Sequence, residues 1–164
     1  MQDFQVDFVK RSIDILNNYE GEYTFSNLLN CTLGLIILPF EKGNNVEVWA
    51  KLIDEIEVLK KVQINNFSPK YKRVDEPKSL MNFLRRIRHA FAHQNIFPIN
   101  ENQKFVKVQI TNQTNGVEDL NVIFNESQLK SFALFIANTY LSSNGRTEKP
   151  LVLTNSNPKI ETVN

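Results

Sequence analysis

The sequence predicts a mainly α protein: a bundle of about five helices with one β-hairpin inserted before the last. Two observations carry that reading. Apolar side chains recur at helical spacing along most of the first 94 positions and again from about residue 125 to 142. Alternation at period two, the mark of a half-buried strand, is confined to about 104–125, where two short runs flank Asn115-Gly116. With 164 residues, 41% of them hydrophobic, the chain suits one domain with a substantial core. That domain is expected over 1–142. The segment 143–164 is polar and aperiodic apart from Leu151-Val152-Leu153, and is expected to be a loosely held tail.

The elements follow in order. Asp3–Tyr19 sets Phe4, Phe8, Val9, Ile13 and Leu16 at helical spacing, and Gly21 breaks it. A second helix, capped by Thr24 or Ser26, runs to about Leu38 and is ended by Pro39 and Gly43-Asn44-Asn45. It is apolar nearly all round, so it belongs at the centre of the core. A third helix is expected over about Val46–Val62, with Val48, Leu52, Ile56 and Leu59 on one stripe. Asn65–Asp75 has no periodicity and reads as a basic loop holding Phe67 and Tyr71. Pro77 then opens a fourth helix with the core stripe Leu80, Phe83, Leu84, Ile87 and Phe91, ending near His93–Gln94. Phe105–Ile110 and Leu120–Phe124 form the hairpin. Asn125 caps the last helix, with Gln128 placed to reciprocate.

Several classes are disfavoured. The most hydrophobic run, Leu28–Leu38, contains Asn30, Thr32 and Gly34 and falls short of the roughly 20 apolar residues of a membrane span. The opening MQDFQVDFVKR carries two aspartates and lacks the order of a signal peptide, so a cytoplasmic location is expected. The single cysteine, Cys31, sits among apolar neighbours and reads as an inert core thiol.

The net charge of +1 conceals a strong asymmetry. Residues 1–59 hold four Lys/Arg against ten Asp/Glu, a net of −6; residues 60–107 hold eleven against three, a net of +8. Residues 108–164 hold four against five, a net of −1. One basic segment of this strength is the footprint of a surface that meets phosphates, although a charge run is more often simply a solvated face. Both histidines of the protein lie inside it. Arg85, Arg86, Arg88, His89 and His93 fall within nine residues. Arginine offers a planar fork matched to phosphate oxygens, and histidine moves protons near neutral pH. Together they make a metal-free and cofactor-free set for breaking an RNA phosphodiester, because the RNA's own 2′-hydroxyl is the nucleophile. Lys70, Lys72 and Arg73, with the two loop aromatics, add a surface able to hold phosphates and stack bases.

The same residues allow plainer roles. His93 can cap a helix C-terminus, where positive charge is favourable. His89 and His93 could hold zinc as an i,i+4 pair, but no third ligand is signalled. Arg85 and Arg86 can be ordinary solvated charges, and two aromatics in a loop can simply pin it to the body. Geometry also limits a single-chain site: at about 100° per residue, Arg88 and His93 lie roughly 140° apart around an ideal helix. Arg88 must reach round, or the helix must loosen before His93, or two chains must each contribute.

Arg88-His89-Ala90-Phe91-Ala92-His93 resembles the R-x4-6-H signature of HEPN domains. There a polar residue commonly follows the arginine, as His89 does here, and the histidine lies near the end of a core helix. The resemblance extends loosely over about 1–142 and points to a stand-alone bacterial or plasmid-borne subgroup. It implies a helical bundle that dimerises with motif helices facing each other, with Arg88 and His93 of both copies forming one composite site. It also implies a metal-independent ribonuclease leaving a 2′,3′-cyclic phosphate, and a setting in toxin–antitoxin or phage-defence systems, where an antitoxin protein could be a partner. The inserted hairpin departs from the minimal bundle. A non-catalytic RNA- or nucleotide-binding module and a protein-interaction module remain open beside the enzyme.

Overall fold

The apolar stripes of the sequence become four long helices, but they pack against a sheet twice the size of the expected hairpin. The protein is described by a computed structural model at residues 4–21, 23–41 and 47–143, the side chains of 39–41 excepted. The elements are α1 (Phe4–Asn18), α2 (Thr24–Glu41), α3 (Glu47–Ala50), β1 (Gln63–Phe67), β2 (Lys70–Tyr71), β3 (Val74–Asp75), α4 (Leu80–Ala92), β4 (Ile96–Glu101), β5 (Lys104–Thr114), β6 (Val117–Asn125) and α5 (Glu126–Ser143). Short 3₁₀ turns at Ile53–Glu55 and Glu57–Leu59 join α3 to β1. The expected tail beyond residue 143 and the Gly43-Asn44-Asn45 break lie outside the described residues.

The mainly α expectation is therefore wrong, and the fold is mixed α/β. An antiparallel sheet runs in the order β1-β6-β5-β4, and β2 and β3 form a separate small hairpin. Of the strands that escaped the sequence, the two in this sheet did so for identifiable reasons. β1 is Gln-Ile-Asn-Asn-Phe, whose amide residues are poor strand formers. β4 contains Pro98, which reads as a terminator yet is tolerated because β4 is an edge strand.

The third helix is also corrected. Only the single turn of α3 forms, because its continuation is taken over by tertiary hydrogen bonds. The Leu80 N–H donates to the Lys51 carbonyl at 2.8 Å and the Ile53 N–H to the Lys78 carbonyl at 3.0 Å. A helix through this stretch would need that Lys51 carbonyl and Ile53 N–H for itself. Ile56 and Leu59 of the expected stripe still reach the core, as does Trp49, but Leu52 is left 41% exposed, so the stripe is only partly buried once the helix that it implied is gone. The Asn65–Asp75 loop is instead β1 followed by the β2–β3 hairpin, with Phe67 buried. α2 continues past Pro39 to Glu41, the proline's missing N–H removing one bond in the final turn only.

α4 and α5 pack against the sheet, α2 packs against both, and α1 lies against α2 and α5. Gly34 makes the α1–α2 contact possible: a Cβ there would stand 2.5 Å from the Phe8 ring. The core joins the layers through aromatic contacts, with Phe83 edge-on to both Phe67 and Phe132, and Phe132 stacked on Phe124. Val108, Ile110, Leu120, Val122 and Phe124 form the buried face of β5 and β6. Cys31 is buried, and burial pushes its thiol pKa up, so it stays protonated in the core. The start of α5 is a capping box: the Gln128 N–H donates to Asn125 Oδ1 at 2.8 Å, and the Asn125 N–H to Gln128 Oε1 at 2.9 Å.

Candidate functional site

α4 carries the Arg/His cluster, and its ends are built locally. Ser79, not Pro77, sets the start: its Oγ accepts from the Asn82 N–H at 3.3 Å, while Asn82 Nδ2 donates to the Pro77 carbonyl at 2.9 Å. Leu80, Phe83, Leu84, Ile87 and Ala90 face the core. The helix stays regular through Ala92 and departs at His93, its C-cap (φ −102°, ψ 10°). Gln94 then takes φ 58°, the Gln94 N–H donates to the Phe91 carbonyl and the Asn95 N–H to the Ala90 carbonyl. This is a Schellman ending made without glycine. The chain passes directly into β4, and the Thr111 N–H on the Asn95 carbonyl ties the corner to β5. His93 is thus exposed at a rigid junction of helix and sheet.

The expected site residues separate into two sets. Arg88, His89 and His93 are exposed, with Arg85 partly so. His89 is held below the ordinary histidine range, first by partial desolvation and then by the charges of Arg86, His93, Arg85 and Arg88. A histidine in that state is neutral near pH 7 and able to accept a proton. Because α4 remains regular to Ala92, the angular separation of Arg88 and His93 is not relieved by an early loosening of the helix. Two cavities, one between α1, α2 and the start of α5 and one lined by the 53–67 segment with Lys78, include none of Arg85–His93.

Arg86 belongs to the second set. The sequence placed it among the guanidinium groups suited to RNA phosphates, or as a solvated charge, but it is 4% exposed and enclosed by carboxylates. Its Nη2 donates to Glu76 Oε2 at 2.9 Å and to the Lys70 carbonyl. Its Nε lies 2.6 Å from Asp119 Oδ2 but off the hydrogen-bond axis, so that contact is an ion pair without an aligned bond. Asp119 is itself buried and accepts from Asn112 Nδ2 and Thr114 Oγ1, each at 2.7 Å. Arg85 shares Glu76 at 3.2 Å and bonds Asn82 Oδ1 at 2.9 Å. Glu76 and Asp119 went unnoticed in the sequence. No local signal marked Asp119: alternation with Leu120, Val122 and Phe124 assigns it to the opposite face, and its burial comes with the register shift between β5 and β6 at Asn112/Gln113.

The remaining basic residues lie on the β2–β3 hairpin. Lys70, Tyr71, Lys72 and Arg73 are all exposed, and Lys70 Nζ stands 3.4 Å from Asp75 Oδ1. Among the described residues no three His, Cys, Asp or Glu side chains cluster as a metal site, and no helix is long and apolar enough to cross a membrane.

An exposed Arg-x4-His at the end of a core-packed helix fits the R-x4-6-H motif of HEPN domains. The family model described as HEPN pEK499 p136 matches residues 1–147, and the chain belongs to that family, a plasmid-borne HEPN group. HEPN domains are typically ribonucleases or nucleotide-binding modules, and dimerisation is typical of them. Neither the curated proteins nor the solved structures give a significant match.

Proposed function

We propose that the protein is a metal-independent endoribonuclease whose active site is assembled from two copies. The carrying observation is that α4 turns Arg88, His89 and His93 outward while its other face is locked into the core. In the reaction the RNA 2′-oxygen attacks the adjacent phosphorus and the bond to the 5′-oxygen breaks, leaving a 2′,3′-cyclic phosphate. A neutral imidazole accepts the 2′-hydroxyl proton and a protonated one donates to the leaving oxygen. Arg88 holds the charge on the non-bridging oxygens. A single α4 points Arg88 and His93 in different directions, and a two-fold pairing of exposed α4 faces would supply the missing half. His89 assists as a proton acceptor and orienting group, while Arg85, Lys70, Lys72 and Arg73 draw in the RNA backbone. Such an enzyme suits a toxin or phage-defence effector, with an antitoxin protein as a partner able to cover the α4 face.

The test is incubation of the purified protein with a mixed RNA pool in EDTA. Cleavage that persists in chelator, yields 2′,3′-cyclic ends and disappears in His93→Ala and Arg88→Ala is expected. Cleavage unchanged in His93→Ala overturns the mechanism; salt-sensitive RNA binding with no cleavage replaces it with a binding module.

A further inference from the structure

The β2–β3 hairpin contributes little to the fold. Each strand has two residues, and all six positions from Lys70 to Asp75 are exposed. A hairpin this short is marginal without outside support. Its turn places Lys72 at φ 47° and Arg73 at φ 71°, the left-handed pair that tight hairpins assign to Asn-Gly. The chain uses Asn115-Gly116 for the same geometry between β5 and β6 (φ 54° and 78°). Two long cations in left-handed backbone carry a cost in stability, and such outliers point to use. Tyr71 is 60% exposed and Val74, its cross-strand partner, 68%. Lys72 Nζ lies 5.3 Å from the centre of the Tyr71 ring.

The hairpin is nevertheless firmly rooted. The Glu76 N–H donates to the Pro69 carbonyl at 2.9 Å, the Ser68 N–H to the Asp119 carbonyl at 3.0 Å, and buried Arg86 to the Lys70 carbonyl. The arginine that grips the root is part of α4, seven residues before His93 and so roughly 10 Å from it along the helix axis. Glu76 holds Arg85 and Arg86 together.

We propose that Tyr71, Lys72 and Arg73 form an RNA grip fixed to α4 through Arg86: Tyr71 stacks on an unpaired base, and the two cations take the flanking phosphates. This rests on the RNA-directed reading of the α4 site and adds a second contact that sets which stretch of RNA reaches it. Stacking requires an exposed base face, so the grip prefers unpaired segments.

Binding of the full chain to a 2′-O-methyl single-stranded RNA, followed by fluorescence anisotropy, separates recognition from cleavage because attack by the 2′-oxygen is blocked. Tyr71→Ala weakens binding about 5- to 100-fold, Tyr71→Phe stays near wild type, and a blunt duplex of the same sequence is insensitive to either. The double variant Lys72→Asn, Arg73→Gly melts at higher temperature, yet binds more weakly and loses about two phosphate contacts from the salt dependence. Unchanged binding in Tyr71→Ala, equal losses in Tyr71→Phe and Tyr71→Ala, or wild-type binding by the Asn-Gly variant overturns the grip. Polyglutamate competing as well as RNA overturns it in favour of a protein-facing surface. A wild-type protein that binds no RNA brings down the RNA-directed reading with it; a wild type that binds while Tyr71→Ala is indifferent removes the grip alone.

Discussion

Arg86 and Arg88 stand two residues apart on one helix and meet opposite environments. Arg86 is enclosed by Glu76, Asp119 and the Lys70 carbonyl, whereas Arg88 lies on the exposed face with His89 and His93. Two residues turn an ideal helix by about 200°, which carries a side chain from the core to solvent. The dense basic cluster is therefore two devices. One ties α4 to the sheet and to the β2–β3 hairpin; the other leaves the Arg88 guanidinium and two imidazoles at the surface. The first makes the second rigid, and rigidity is what a site needs to hold groups in productive geometry.

If the proposed cleavage is correct, the comparison breaks most visibly at its exposed end. His93→Ala is expected to lower RNA cleavage by roughly 10²- to 10⁴-fold, measured by product formation in EDTA, with the denaturation midpoint nearly unchanged. Arg88→Ala should cost about 10²- to 10³-fold by the same assay. A variant that loses both activity and folding would erase the distinction between the two faces.

Arg86→Met tests the other side. It strands the carboxylates of Asp119 and Glu76 away from their cation, and urea denaturation should show a loss of about 3–5 kcal/mol. Arg88→Ala, by contrast, should change stability by about 1 kcal/mol or less. Equal destabilisation by the two variants would refute the division.

The pH dependence sharpens the exposed side. The folded-state pKa of His89 is lowered relative to the unfolded chain, so folding opposes its protonation. Its contribution to stability is complete above about pH 6.5 and is lost as the pH falls through the depressed value. Wild type and His89→Gln should therefore have a constant difference in melting temperature above neutrality, with the variant gaining relative to wild type in the acid range. A relative gain that appears as the pH rises instead would contradict the sign.

The smallest effect concerns the helix end. Gln94 adopts φ 58° at the position of the Schellman ending that favours glycine, and Gln94→Gly should raise stability by about 0.5–1 kcal/mol in denaturant melts. Unaltered cleavage in that variant would show that the backbone turn alone, and not the Gln94 side chain, is needed to present His93.

Much of the helical framework was legible because its signals are local. The stripe Leu80, Phe83, Leu84, Ile87 marks the core face of α4, and Asn125 with Gln128 marks the start of α5 through bonds spanning three residues. Asn115-Gly116 marks the β5–β6 turn by its backbone preference. The missed elements depend on distant partners. β1 pairs with β6 across more than fifty residues, its Gln63 opposite Ile123, and the interruption after α3 is imposed by the 78–80 backbone.

The candidate site divides along the same line. The sequence by itself determined that two imidazoles and three guanidinium groups share one helix, since spacing and periodicity are properties of neighbours in the chain. Only the tertiary structure decided which of those cations is buried and which lies at the surface. Glu76, just after β3, and Asp119, on β6, approach Arg86 from separate parts of the chain and enclose it, and buried charges are assigned by long-range packing that no local pattern encodes.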